Sequence, residues 1–246
     1  MTVPVYRLSR FVGPELGGCG GQFGEIQAFL KPNCARAPYG LANEYVCNRL
    51  GLFLGLPVPP GGVVRASDGE LWYASLDFNV ERAPLSAVDL TRCARELPRL
   101  FAGVLLFDIV VMNNDRDPEN LAVDFASDPP RMSVFDFSHS LFGADAGRNT
   151  DHLAEYRDRL GIVGPPHRHD FLDVVTSDAH FPEWFERIEA IPDFVVDDIV
   201  AHALDFGLTE REAAAAADCL KHRRTNLRAI VASHRSEFTK ITSWQA

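Results

Sequence analysis

The run LFAGVLLFDIVVM, residues 100–112, constrains this chain more than any other stretch, because Asp108 is its single polar side chain. A membrane span needs about 20 apolar residues, so the run is too short to cross a bilayer and belongs inside a helical layer. Leu97, Phe101, Leu105 and Met112 recur at helical spacing, and Pro98 marks a break or the start of a second helix. The run ends abruptly in NNDRDPEN, residues 113–120. A buried segment that opens into so many charges points to a loop that handles charge.

At 246 residues the chain has room for one large domain or two small lobes around a real core. Its net charge of −10 argues against a nucleic-acid partner held through phosphates, which needs a broad basic face, but leaves a local basic pocket open. The N-terminal residues contain no apolar core of a secretory signal, and a cytoplasmic protein without membrane contact is expected. Five cysteines, at 19, 34, 47, 93 and 219, form no C-x-x-C pair and read as core thiols of a reducing compartment. The basic residues are more informative. Only Lys31, Lys221 and Lys240 are lysines among 24 basic residues, so Lys31 is the one compact ammonium before the C-terminal region.

A glycine cluster that includes Gly20 and Gly21 leads into EIQAFLK, a strand expected to end near Lys31, where Pro32 stops it or marks an edge. ANEYVCNRLGLFLGLPVPP has helical spacing, with Asn43 as the expected N-cap and Gly55 as the stop. GVVRAS and LWYASLDF read as a hairpin. LAVDF and MSVFDFS form two short strands around ASDPPR, so the loop 113–120 lies between a buried helix and a hairpin. The rest is mostly helical, including a long segment opened by a capping box of Thr209 and Glu212. The expected fold is α+β: a small strand-rich lobe with one helix over 1–82, then a larger helical lobe over 83–246.

Glycine turn, strand-end lysine, helix with an early glutamate, D-x-x-x-x-N loop and strand-end aspartate follow one another in an order that suits phosphoryl transfer. A flexible backbone approaches phosphates, a lysine neutralises them, and a helix acid holds that lysine. An aspartate meets the attacking hydroxyl, while an amide and a second aspartate offer hard oxygens to magnesium. Lys31, Glu44, Asp115, Asn120 and Asp136 supply these groups in that order. Each has a plainer reading: a solvated strand end for Lys31, a helix-dipole acid for Glu44, a polar turn for the loop. Asp136 is harder to set aside, since an aspartate in an apolar strand must be paired, protonated or metal-bound.

These motifs resemble a family. ANEYVCNRLGLFLGLPVPP is similar to the helix segment of the HipA-like kinases, with its N-E-Y start and G-L-x-V-P exit. NNDRDPENLAVD, followed by VFDFSHSL, resembles the catalytic and metal loops shared by HipA-like and phosphatidylinositol kinases. The resemblance spans roughly residues 15–143 and implies a two-lobed, protein-kinase-like fold using ATP and Mg2+. It implies that Asp115 positions or deprotonates the acceptor, that Asn120 and Asp136 bind magnesium, and that Lys31 contacts phosphates with Glu44 as its partner. Gly20 and Gly21 would cover the phosphates, Asn113 would brace the loop, and Arg116 would neutralise phosphate or hold the loop. Phe78 would meet the adenine at the hinge. Asp117 stands where these relatives often have histidine, which leaves it to repel phosphate or add a metal ligand. No serine or threonine lies between Gly17 and Gly24, so phosphorylation within that loop is unsupported.

His152, His167, His169 and His180 lack the i,i+4 pairing of a zinc helix and read as solvated loop residues. His139 takes either a phosphate or acceptor role or a structural one, and Asp108 is expected to bond backbone or an arginine of the loop. Phe181, Trp184 and Phe185 read as core, with a partner groove as the sharper reading. The function expected is an ATP- and magnesium-dependent kinase acting on Ser or Thr of a protein, with an antitoxin or regulatory protein as a possible partner. A lipid or small-molecule kinase is the first rival, disfavoured for lipids by the absence of a basic amphipathic helix. A nucleotide-binding pseudokinase serving as a regulatory module is the second, and the presence of all four of Lys31, Asp115, Asn120 and Asp136 argues against it.

Overall fold

The computed structural model describes residues 6, 8–16, 18, 20–79, 87–144, 149–161 and 169–245. The expected lobe boundary at 82/83, the glycine at 17, Cys19 and His167 therefore lie outside the described residues. Strands β1 (Leu8–Leu16) and β2 (Gly21–Ile26) form an antiparallel hairpin, with Gly20 in its turn at φ 69°. Gln27 then divides β2 from β3 (Ala28–Pro32), so the single strand expected up to Lys31 is two strands with different partners. β1 was not expected, because LSRFVGPEL carries a glycine and a proline that hide its alternation.

Helix α1 (Gly40–Phe53) follows, then β4 (Gly61–Arg65) and β5 (Leu71–Leu76), in a three-stranded antiparallel sheet of order β3-β5-β4. β3 is an edge strand, as Pro32 predicts, with Pro32 opposite Trp72. α1 packs on all three strands. It begins three residues before the expected cap, since Asn33 Oδ1 accepts the Leu41 N–H at 2.9 Å and does the capping from outside. Asn43 is instead buried within the helix. Gly55 ends it at φ 70°, as expected.

Pro98 divides the apolar run's helix: α2 (Leu90–Glu96) is capped by Asp89, and α3 (Pro98–Val110) starts with the proline in its first turn. Every residue of α3 from Phe101 to Val110 is buried. Strands β6 (Leu121–Asp124) and β7 (Arg131–Val134) pair antiparallel with Leu121 opposite Val134. Helices α4 (Thr150–Tyr156), α5 (Phe181–Glu189), α6 (Asp193–His202) and α7 (Glu210–Ser233) complete the chain. The capping box of Thr209 and Glu212 opens α7 as expected.

α7 packs against α3, α4, α5 and α6. Its buried Arg223 donates to the carbonyls of Ile109 and Val110 and to those of Tyr156, Arg157, Arg159 and Leu160, capping the end of α3 where the charged loop starts. Phe181, Trp184 and Phe185 are core. Cys47, Cys93 and Cys219 are buried thiols, while Cys34 is exposed. The architecture is α+β, a small strand-rich N-terminal lobe with one helix and a larger, mainly helical C-terminal lobe. Among the described residues no helix is long and apolar enough to cross a membrane.

Candidate active site

Lys31 stands one residue from the end of β3 and points its ammonium between two carboxylates. Nζ is 2.6 Å from Glu44 Oε1 on α1 and 2.9 Å from Asp136 Oδ1 beyond β7. Burial works against the charged lysine, yet Glu44 and Asp136 together hold its pKa above the ordinary value. The two acids differ in setting. Glu44 is almost fully enclosed, and burial pushes its carboxyl up while Lys31 pulls it back. Asp136 is more open; burial raises it, but Lys31 and the Ser138 hydroxyl bring it down to about 2. Asp136 is thus the firmly ionised partner.

Asp136 adopts φ 61°, a left-handed conformation that costs a non-glycine residue on the order of 1 kcal/mol or more and concentrates at functional sites. Its neighbours hold it there. Ser138 donates to Asp136 Oδ1 through its hydroxyl at 2.7 Å and its N–H at 3.3 Å. The Asn43 amide donates to Ser138 O at 2.8 Å, so the helix carrying Glu44 also anchors the turn carrying Asp136. Asn43 therefore has a structural task at the site that a capping assignment missed.

The loop 113–120 is organised from beneath. Asn113 donates to Asp108 at 3.1 Å and accepts the Asp115 N–H at 3.2 Å, which ties the start of the loop to α3. The Arg116 guanidinium is enclosed and pairs with equally buried Asp108 at 3.0 Å. It also donates to the carbonyl oxygens of Asn120 and Phe135 and lies over the Phe137 ring. One guanidinium therefore pins the backbones of Asn120 and Phe135 together, at the point where the β6–β7 ladder runs out and Asp136 begins. Asp117 accepts the N–H groups of Glu119 and Asn120 at 2.7 and 3.1 Å, which makes it an organiser of the turn.

Asn120 donates its amide nitrogen to Asp115 O at 2.6 Å, which turns its Oδ1 the other way. An amide oxygen and an ionised aspartate are the hard-oxygen donors that magnesium takes together with phosphates and water, so the chemistry of Asn120 and Asp136 fits the ion. Phe78, just past β5, meets Phe135 with ring centroids 5.3 Å apart, which places an aromatic pair beside Asp136. Gly20 and Gly21 sit at the turn of the separate β1–β2 hairpin.

His169 is buried rather than solvated: its Nδ1 accepts the Phe171 N–H at 3.3 Å, so Nε2 carries the proton toward Asp108 Oδ2 at 3.0 Å. No spacing in the sequence signals that pairing. His139 Nδ1 lies 2.9 Å from Asp115 Oδ2. Among the described residues no three His, Cys, Asp or Glu side chains gather as a metal cage.

No model of a known protein family matches this chain. No curated protein matches it either. Among solved structures it is similar to the Helicobacter pylori proinflammatory kinase CtkA, with a TM-score of 0.59 and 15% identity over 96% of this chain and 98% of that one. A likeness of that extent at that identity concerns the fold, which for this chain is the two-lobed, kinase-like one.

Proposed function

We propose that this chain transfers the γ-phosphoryl group of ATP, with magnesium, to a hydroxyl, and that the acceptor is a Ser or Thr of a protein. The observation that carries this reading is the Lys31 ammonium between Glu44 and Asp136, with the Asp115 loop locked to the same turn through Arg116. Lys31 contacts the phosphates in this reading, with Glu44 fixing its direction. Magnesium, held by Asn120 and Asp136, would supply charge neutralisation to the phosphates. Asp115 accepts the proton of the attacking hydroxyl, and Asn113, Arg116 and Asp117 keep its loop in place. Phe78 offers an aromatic face to the base, and the turn at Gly20 and Gly21 would close over the phosphates.

The resemblance of residues 42–60 and 113–141 to HipA-like kinases, and the fold shared with the Helicobacter pylori kinase CtkA, both support this reading. The acidic chain, with a net charge of −10, favours a protein over an anionic membrane lipid as acceptor. The test is labelling from γ-labelled magnesium–ATP, alone and with a cell lysate, for wild type beside Asp115→Ala and Asp136→Ala. Asp115→Ala is expected to abolish labelling of a discrete band and keep nucleotide binding, and Asp136→Ala to weaken magnesium-dependent binding as well. Labelling by Asp115→Ala at the wild-type level would remove Asp115 from its role. Tight binding with neither labelling nor hydrolysis would favour the pseudokinase.

A further inference from the structure

We infer that His139 is a positioning residue for transfer: it holds the Asp115 carboxylate by one oxygen and so presents the other to the acceptor. The inference rests on the kinase reading above. His139 Nδ1 is 2.9 Å from Asp115 Oδ2, and each side chain is about a quarter exposed, so the contact lies at the mouth of the site rather than in the core. The backbone on either side of His139 is immobilised. Ser138 O takes the Asn43 amide at 2.8 Å, the Ser140 N–H reaches Phe137 O at 3.0 Å, and the Leu141 N–H reaches Val111 O at 2.8 Å. A ring presented from so fixed a turn is a rigid donor.

Asp115 needs such a donor. Asn113 holds its main-chain N–H, but its carboxylate turns about two side-chain torsions, and among the described residues His139 is the group that meets it. With its proton on Nδ1, the imidazole would donate to Oδ2 and leave Oδ1 to the acceptor. In the transfer step the hydroxyl proton passes to Oδ1 while the hydroxyl oxygen bonds the γ-phosphorus. The bond from that phosphorus to the β–γ bridging oxygen breaks, and its electron pair leaves on ADP. His139 keeps its own proton throughout. It also joins the turn that carries Asp136 to the loop that carries Asp115, so that proton acceptor and metal ligand keep a fixed relation.

The test compares wild type, Asp115→Ala, His139→Ala, His139→Asn and His139→Gln in magnesium–ATP phosphorylation of casein and of the chain itself, with release of phosphate to water as a third readout. His139→Ala is expected to lower kcat about 10–100-fold, the scale of a lost positioning contact, with KM for ATP unchanged. His139→Asn, whose amide nitrogen takes the place of Nδ1, should recover most of the rate; His139→Gln, which replaces Nε2, should not. Wild-type rates in His139→Ala, or an equal loss in His139→Asn, would overturn the inference while Asp115-dependent transfer leaves the kinase reading standing. A wild type inert in all three assays would overturn both. Nitrogen NMR of the imidazole gives a readout without an acceptor: Nδ1–H is expected in wild type and lost in Asp115→Ala, and an Nε2–H tautomer in wild type overturns the inference.

Discussion

Asp108 shows how much one buried carboxylate organises. It accepts from Arg116, Asn113 and His169, and although burial pushes its pKa up, Arg116 and then His169 hold it below the usual range. Asp108→Asn would leave the Arg116 charge enclosed without its counter-ion, so a loss of about 3–5 kcal/mol is expected in urea unfolding. His169→Ala is expected to cost about 1–3 kcal/mol by orphaning one acceptor site, with His169→Gln closer to wild type. Asp136 carries a pH dependence with a definite sign. Its folded pKa, about 2 against the ordinary 3.8, lies below the unfolded one. Its ionised form therefore stabilises the fold fully above about pH 4, by no more than about 2 kcal/mol, and that contribution fades as pH falls through about 2. Asparagine tolerates φ 61°, so Asp136→Asn isolates the charge. The stability gap between it and wild type should hold from pH 7 to pH 4 and narrow at pH 2.5.

At the scale of elements, α3 and α5 approach as closely as Gly103 allows. A Cβ there would fall 2.2 Å from the Trp184 ring, whose Nε1–H donates to Arg99 O at 2.7 Å. Gly103→Val is expected to destabilise by about 3 kcal/mol through overpacking, read as a lower urea midpoint at unchanged slope. The elements legible in the sequence were those whose signals are local: the Pro98 break, the Gly55 stop, the β4–β5 and β6–β7 hairpins and the Thr209–Glu212 box. β1 and the division at Gln27 were not legible, because pairing with a distant strand decides them. The start of α1 was misread for a related reason, since Asn33, outside the helix, supplies its cap.

At the scale of the whole molecule, α1 belongs to both lobes. It packs on the β3-β5-β4 sheet, and Tyr45 meets Phe206 beyond α6 at 5.0 Å, so Glu44 is carried by a helix that cannot tilt without disturbing the C-terminal lobe. Tyr39, just before α1, donates to Glu212 of the α7 capping box at 2.6 Å and stacks on Phe142. A ligand bridging Lys31 and Asp136 therefore acts on the stability of the entire chain. Magnesium–ATP at about 100 times its Kd is expected to raise Tm by about 5–10 °C, and Asp136→Ala to lose most of that shift in a thermal melt. By itself the sequence determined the kinds of part and their order: a lone early lysine, a helix acid, a charged loop after a buried run and an aspartate after an apolar segment, although Asp136 lies in a left-handed turn beyond β7 and not in the strand expected for it. Composition and local periodicity are enough for that. Only the tertiary structure decided which carboxylates share Lys31, that Arg116 is enclosed on Asp108 with His169, and that His139 faces Asp115. Arg116 and Asp108 are only eight residues apart, and that pairing was among those expected; the others join segments distant in the chain, and the packing of α1, α3 and the β6–β7 hairpin brings them within bonding distance.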